Sequence, residues 1–178
     1  EDTGLGVHLT LDSETPVSNP VAIPTIVSKQ DTFMSRSEIM LRLIKRQVKI
    51  DDVRREWTAQ VEKVINAGLR PDHLDGHGHI QIFPTLLSLV IDIAKQFNIS
   101  AIRLPLVPWG LKRLTGLMSL NLAAKYASIK FKSLLRHPDF MLGFASGGCY
   151  SESIFFKDIG LLKRGEIVEA MFHPGPVK

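Results

Sequence analysis

Cysteine is almost missing from this 178-residue chain. Cys149 is the only one, so no disulfide can close within it. Such usage fits a reducing compartment and leads to the expectation of a cytoplasmic protein. No apolar run reaches spanning length, so no transmembrane helix is expected. Glu1-Asp2-Thr3-Gly4 has neither the basic start nor the apolar stretch of a signal peptide, and residue 1 is not Met, so the gene need not begin here. What is present is ordinary for a globular protein: 44% apolar residues and 22% charged. The length suits one domain with a real core.

Acidic residues are also absent from one long stretch. Between residues 109 and 136 stand Lys112, Arg113, Lys125, Lys130, Lys132 and Arg136, with no Asp or Glu among them. Leucines and other apolar residues fill the intervals. This is the pattern of a basic helical insert, either packed on the domain or lying against an anionic membrane surface. Nucleic acid is not expected, because stacking aromatics are few and no reader motif occurs.

Histidines, by contrast, are concentrated. Three of six fall in Pro71-Asp72-His73-Leu74-Asp75-Gly76-His77-Gly78-His79, together with two carboxylates. Read as an extended segment, His73, Asp75, His77 and His79 would share one face. Imidazole and carboxylate in that density suit a borderline divalent metal or acid–base chemistry. Earlier, Leu5 to Leu11 alternates as a strand, with His8 opposite Val7, Leu9 and Leu11.

The remaining elements follow from periodicity and punctuation. Prolines 16, 20 and 24 keep residues 12–37 from regular helix, and a connection of that length is usually functional or a lid. Ser35 with Glu38 forms a capping-box start for a helix bearing Ile39, Leu41, Leu43 and Ile44. A second helix is predicted over 50–67, its charges, Glu56 among them, forming a solvated face. A third runs from Thr85 to about Phe97, then a strand over Ala101–Pro105, giving a βαβ unit and a parallel sheet. Arg103 lies at the carboxyl end of that strand, where α/β folds place their sites. Gly143 to Gly148 reads as a turn, Ile154 to Leu162 as a short helix, and Glu166 to Phe172 as a strand with His173 at its carboxyl end.

Gly6-Val7-His8-Leu9-Thr10-Leu11, His73-Leu74-Asp75-Gly76-His77-Gly78-His79, Arg103-Leu104-Pro105 and Met171-Phe172-His173-Pro174-Gly175 together resemble, in order and spacing, the YdjC-like carbohydrate deacetylases. That family includes the ChbG chitooligosaccharide deacetylases and the HpnK proteins of hopanoid biosynthesis, and the basic insert looks most like the HpnK branch. The resemblance implies a distorted (β/α) barrel of the polysaccharide-deacetylase type. It also implies a divalent metal, magnesium or zinc, on an Asp-His-His site beside an aspartate base. Carried over, His8 and His77 are the metal histidines and Arg103 the arginine that holds the base. His173 is a candidate general acid, while Asp75, His73 and His79 orient the ligands or face the substrate. The substrate would be an N-acetylated sugar, chitooligosaccharide-like or lipid-linked, and a lipid-linked one would bring the insert to the inner membrane surface.

Two departures stand out. Gln81 occupies a position where the family often has histidine, and the family's opening Asn-Ala-Asp-Asp-Phe-Gly strand is absent, as are the last barrel elements. The expectation is an incomplete barrel and an incomplete site. Two rivals follow from the residues. One is another metal-dependent amidase or phosphoesterase using Asp75 as an added ligand. The other is a non-catalytic fragment that binds a membrane or partner through the basic insert.

Overall fold

The computed structural model describes residues 4–107, 115–131, 134–143 and 150–172. The chain divides into two compact units, residues 1–103 and 104–178.

The first unit is a mixed α/β layer structure. Its elements are β1 (Gly6–Leu9), α1 (Arg36–Ile44), α2 (Ile50–Asn66), β2 (His73–Gly76), α3 (Leu87–Gln96) and β3 (Ala101–Ile102). The strands form one parallel sheet in the order β1-β2-β3. Gly6 stands opposite His73 and His8 opposite Asp75. His73 in turn pairs with Ala101. Parallel neighbours need crossovers, and helices supply both. The expected β2–α3–β3 unit is present.

The core lies between the sheet and α2 and α3. Val7 and Leu9 of β1, Leu74 of β2 and Ile102 of β3 are buried. So are Val53, Trp57 and Val61, one helical face of α2. From α3, Leu87, Leu89, Val90, Ile91, Ile93 and Ala94 form the broad apolar face predicted for it. Truncating the fully buried Trp57 would remove about 3–5 kcal/mol.

Beside the apolar face of α2 runs a buried polar one, Asp52, Glu56 and Gln60, at four-residue spacing. This corrects the expectation that Glu56 belongs to a solvated face. Glu56 accepts hydrogen bonds from the backbone N–H of Val17 and of Ser18, both at 2.9 Å. Asp52 accepts from the N–H and the hydroxyl of Thr25. The Gln60 amide spans the backbone of Thr10, accepting from its N–H and donating to its carbonyl. The long connection after β1 bonds to itself at its turns, and α2 side chains satisfy the backbone N–H groups of Thr10, Val17, Ser18 and Thr25. Its only regular piece among the described residues is a short 3-10 turn, Pro20–Ala22.

Helix α1 begins as its sequence predicts, with the Ser35 hydroxyl accepting from the Glu38 N–H at 3.3 Å. Ile39 and Leu43 are buried, whereas Leu41 and Ile44 are exposed.

The second unit holds α4 (Thr115–Phe131), β4 (Phe140–Leu142), α5 (Glu152–Ile159) and β5 (Val168–Ala170). Strands β4 and β5 pair in parallel, Phe140 with Val168. β5 was expected from the sequence; β4 was not. The rings of Tyr150, Phe155 and Phe172 cluster, with centroids 5.4–6.0 Å apart. The Tyr150 hydroxyl donates to buried Asp158 at 3.0 Å. Burial and that carboxylate together push the phenol well above its ordinary pKa. Among the described residues no helix is long and apolar enough to cross a membrane.

Candidate metal and catalytic site

The site is built where β1 and β2 lie side by side. Alternation along β1 buries Val7 and Leu9 and turns His8 outward. The β1–β2 register sets His8 beside Asp75. The His8 Nδ1 lies 2.8 Å from Asp75 Oδ2. The guanidinium of Arg103, which follows β3, contacts the same carboxylate oxygen. Burial alone would raise the pKa of Asp75. The His8 hydrogen bond and the Arg103 charge outweigh it and hold the carboxyl below its usual range. Asp75 is therefore an ionised, acceptor-only group, and the His8 Nδ1 must carry the proton between them.

The strand ends at Gly76, and this is where the structure departs from the extended reading of the cluster. His77–Ile82 is a 3-10 turn interrupted by two left-handed residues, Gly78 (φ 57°) and His79 (φ 60°). The turn brings His77 over His8. Its Nδ1 lies 3.3 Å from His8 Nε2, with the two rings at 85° to one another. Two features favour glycine at position 78. Its φ suits glycine, and a Cβ there would meet the Arg36 guanidinium at 2.7 Å.

The other histidines of the cluster do different things. His73 stands opposite Gly6, two residues along the register from the His8–Asp75 pair, its ring packed over Gly6, where a Cβ would fall 2.2 Å from Nε2. Its Nδ1 contacts Asp72 at 2.6 Å. His79 is 8% exposed. Burial, with Arg103 close by, lowers its pKa to about 4, so it is neutral at pH 7. Gln81 is fully buried and donates to the Arg103 backbone carbonyl, fastening the turn to the end of β3. That is a structural task, in keeping with its replacing a histidine of the family pattern. His173 lies outside the described residues.

The structure adds residues that the sequence reading passed over. Asp12, 2% exposed, accepts from Arg36 Nε at 2.7 Å. Its Oδ1 stands 3.8 Å from His77 Nε2. The signal was available: the alternation that turns His8 outward continues through Thr10 to Asp12. Next to this group opens a cleft of about 590 Å³ lined by Ser13, Glu14, Thr15, Thr32, Phe33 and Arg36, among others.

Among the described residues no three His, Cys, Asp or Glu side chains converge as a complete metal cage. What the geometry offers is a pair of imidazole nitrogens on a half-exposed surface. Buried carboxylates and arginines stand behind them.

A family model described as YdjC-like protein matches residues 1–178. The carbohydrate deacetylase of Halalkalibacterium halodurans is 30% identical over 95 residues, 53% of this chain and 39% of that one. That of Oceanobacillus iheyensis is 33% identical over 98 residues, again 53% and 39%. That of Thermoanaerobacter pseudethanolicus is 29% identical over 105 residues, 59% and 41%. The matched segment thus spans about two-fifths of these relatives' length. The crystal structure of a candidate cellobiose-phosphate cleavage protein from Enterococcus faecalis V583 shares the fold. Its TM-score is 0.70 at 23% identity, over 98% of this chain and 61% of that one.

Proposed function

From the premise that this chain belongs to the YdjC-like protein family, we propose that it carries part of the active site of a metal-dependent carbohydrate N-deacetylase. Such an enzyme hydrolyses the acetamide of an amino sugar. One observation carries the reading: His8 Nε2 and His77 Nδ1 are 3.3 Å apart. Two nitrogens on one tetrahedral ion, with bonds of 2.0–2.1 Å, lie roughly 3.3–3.4 Å apart. The two nitrogens are thus within reach of a single divalent ion, which they would help to hold. The Asp75 contact supports the same reading, since a metal-bound histidine ordinarily donates its other N–H to a carboxylate.

A divalent ion held by these residues would act as a Lewis acid toward the acetamide carbonyl and toward water. The residues of the chain do the rest. Asp75 fixes the tautomer of His8, and Arg103 fixes Asp75. Buried, neutral His79 adds no positive charge beside the pair. His173, by its resemblance, protonates the departing amine, which amide cleavage requires because an amide anion is a very poor leaving group. His8 and His77 supply two of the three protein ligands that a hydrolytic site of this type uses.

The substrate follows from the relatives named carbohydrate deacetylase. The cleft beside Arg36, with hydroxyls from Ser13, Thr15 and Thr32 and the ring of Phe33, suits a sugar. A lipid-linked form, such as a hopanoid glycolipid, is the narrower proposal. It draws on the HpnK-like insert and on α4, which exposes Leu122, Tyr126 and Ile129 beside Lys125. The parallel order β1-β2-β3 is what successive strands of a (β/α) barrel would give.

The test is acetate release from a chitooligosaccharide and from an N-acetylglucosamine-bearing glycolipid. It would be run on this chain and on the chain extended to the length of its relatives. Release lost in His77→Ala is expected, and the preferred substrate chooses between the branches. A folded, extended protein that releases no acetate from either overturns the proposal.

A further inference from the structure

The cleft beside the histidine pair contains a cation that the chain itself only half occupies. Its walls are the two ends of the long connection, residues 13–15 and 32–36. The Phe33 N–H donates to the Glu14 carbonyl at 3.2 Å and ties the two ends together. Ser13 is held left-handed there (φ 67°), a conformation that residues other than glycine seldom adopt. Among the described residues that line the cleft, Arg36 is the only cation and Glu14 the only carboxylate.

Arg36 is fixed at one edge and open at the other. Its Nε donates to Asp12 Oδ2 at 2.7 Å. Asp12 is itself anchored: its Oδ1 accepts from the Thr10 hydroxyl at 3.3 Å, and Gln60 grips both the N–H and the carbonyl of Thr10. The guanidinium lies against Gly78, which has no Cβ to push it off. Neither terminal nitrogen of Arg36 has a hydrogen-bond partner among the described residues, and the side chain is half exposed. A planar fork held still in this way, with N–H donors to spare, is pre-organised to grip oxygens.

Charge and position say which oxygens. Asp12 already balances Arg36, and Glu14 adds a negative charge to the cleft, so an anionic group would find no surplus cation there. The hydroxyls of Ser13, Thr15 and Thr32 suit an uncharged partner. Asp12 Oδ1 stands 3.8 Å from His77 Nε2 while its Oδ2 holds Arg36, so the guanidinium is one carboxylate away from the pair. The cleft therefore lies next to the place of reaction.

We propose that Arg36 is a specificity-determining residue: its two terminal nitrogens donate to oxygens of an uncharged sugar unit adjoining the one that carries the acetamide, and Glu14 turns anionic units away. This rests on the deacetylase reading above. It adds the part of the substrate that the cleft reads and the charge that part must have.

The experiment titrates the nitrogen-15-labelled chain, in chelator, with three saccharides and follows its amide signals. They are N-acetylglucosamine, di-N-acetylchitobiose, and a disaccharide of N-acetylglucosamine with glucuronate. The uncharged disaccharide is expected to bind most tightly and to shift the amides of residues 13–15 and 32–36. Arg36→Lys keeps a cation on Asp12 but loses the fork. It should weaken binding of that disaccharide roughly 10–100-fold and bring its affinity toward that of the monosaccharide. The comparison of saccharides on the unmodified chain needs no variant to fold. Equal affinity for the monosaccharide and the uncharged disaccharide overturns the proposal. So does tighter binding of the glucuronate disaccharide, a chain that binds none of the three, or a folded Arg36→Lys with unmodified affinity. None of these readouts involves turnover. If the deacetylase reading fails alone, the disaccharide still occupies the cleft and the extended chain releases no acetate. If the Arg36 inference fails alone, acetate release is lost in His77→Ala while Arg36→Lys keeps the KM of the unmodified enzyme for the disaccharide.

Discussion

His79 is the residue whose burial has the clearest consequence in solution. Its pKa falls from 6.5 to about 4 on folding. The unfolded chain takes up this proton near pH 6.5 and the native one only near pH 4. The unfolded state thus binds more protons between those values, and stability drops as pH falls through that window. The full loss is on the order of 3 kcal/mol, present below about pH 4 and absent above about pH 6.5. Denaturant unfolding of the metal-free chain from pH 7 to pH 4 should reveal it, and His79→Gln should flatten the profile. An unchanged profile in that variant would contradict the burial argument. The sequence disclosed that His73, His77 and His79 cluster but not that they part company. The left-handed turn at Gly78 and His79 does that, and alternation cannot anticipate it. His8 was legible because period 2 held through β1.

At the scale of elements, α2 both supports the core and holds the long connection. Glu56 is its anchor, fully buried and accepting from Val17, Ser18 and Gln60. Glu56→Gln should cost about 1–3 kcal/mol in urea unfolding and speed proteolysis between residues 13 and 33. Stability and cleavage both matching the unmodified chain would show that the connection is held elsewhere. The helices α1 to α3 were readable from apolar spacing and caps, and the parallel β2–α3–β3 unit from their order. Glu56 was not, because a carboxylate at helical spacing among other charges looks solvated until its acceptor role is seen. β4 escaped notice for another reason. Three residues, Phe140–Leu142, give no alternation to count, and their pairing with β5 is a long-range fact.

For the whole molecule, the family model spans residues 1–178, and the aligned segment covers about two-fifths of the curated relatives. The resemblance visible in four short motifs is thus borne out at the level of family. The site is readable to the extent that His8, Asp75, His77 and Arg103 do meet. Asp12 continues the alternation of β1, but its meeting with Arg36 at the start of α1 depends on the path of the proline-rich connection between them. The most direct measurement is acetate release from an N-acetylated oligosaccharide by the chain extended to its relatives' length. It would be stripped with chelator and titrated with zinc, with His8→Ala alongside. Release abolished by chelation, restored by stoichiometric zinc and missing in the variant is the expected result. Release that persists undiminished in chelator, or in His8→Ala, would contradict a metal held by this pair.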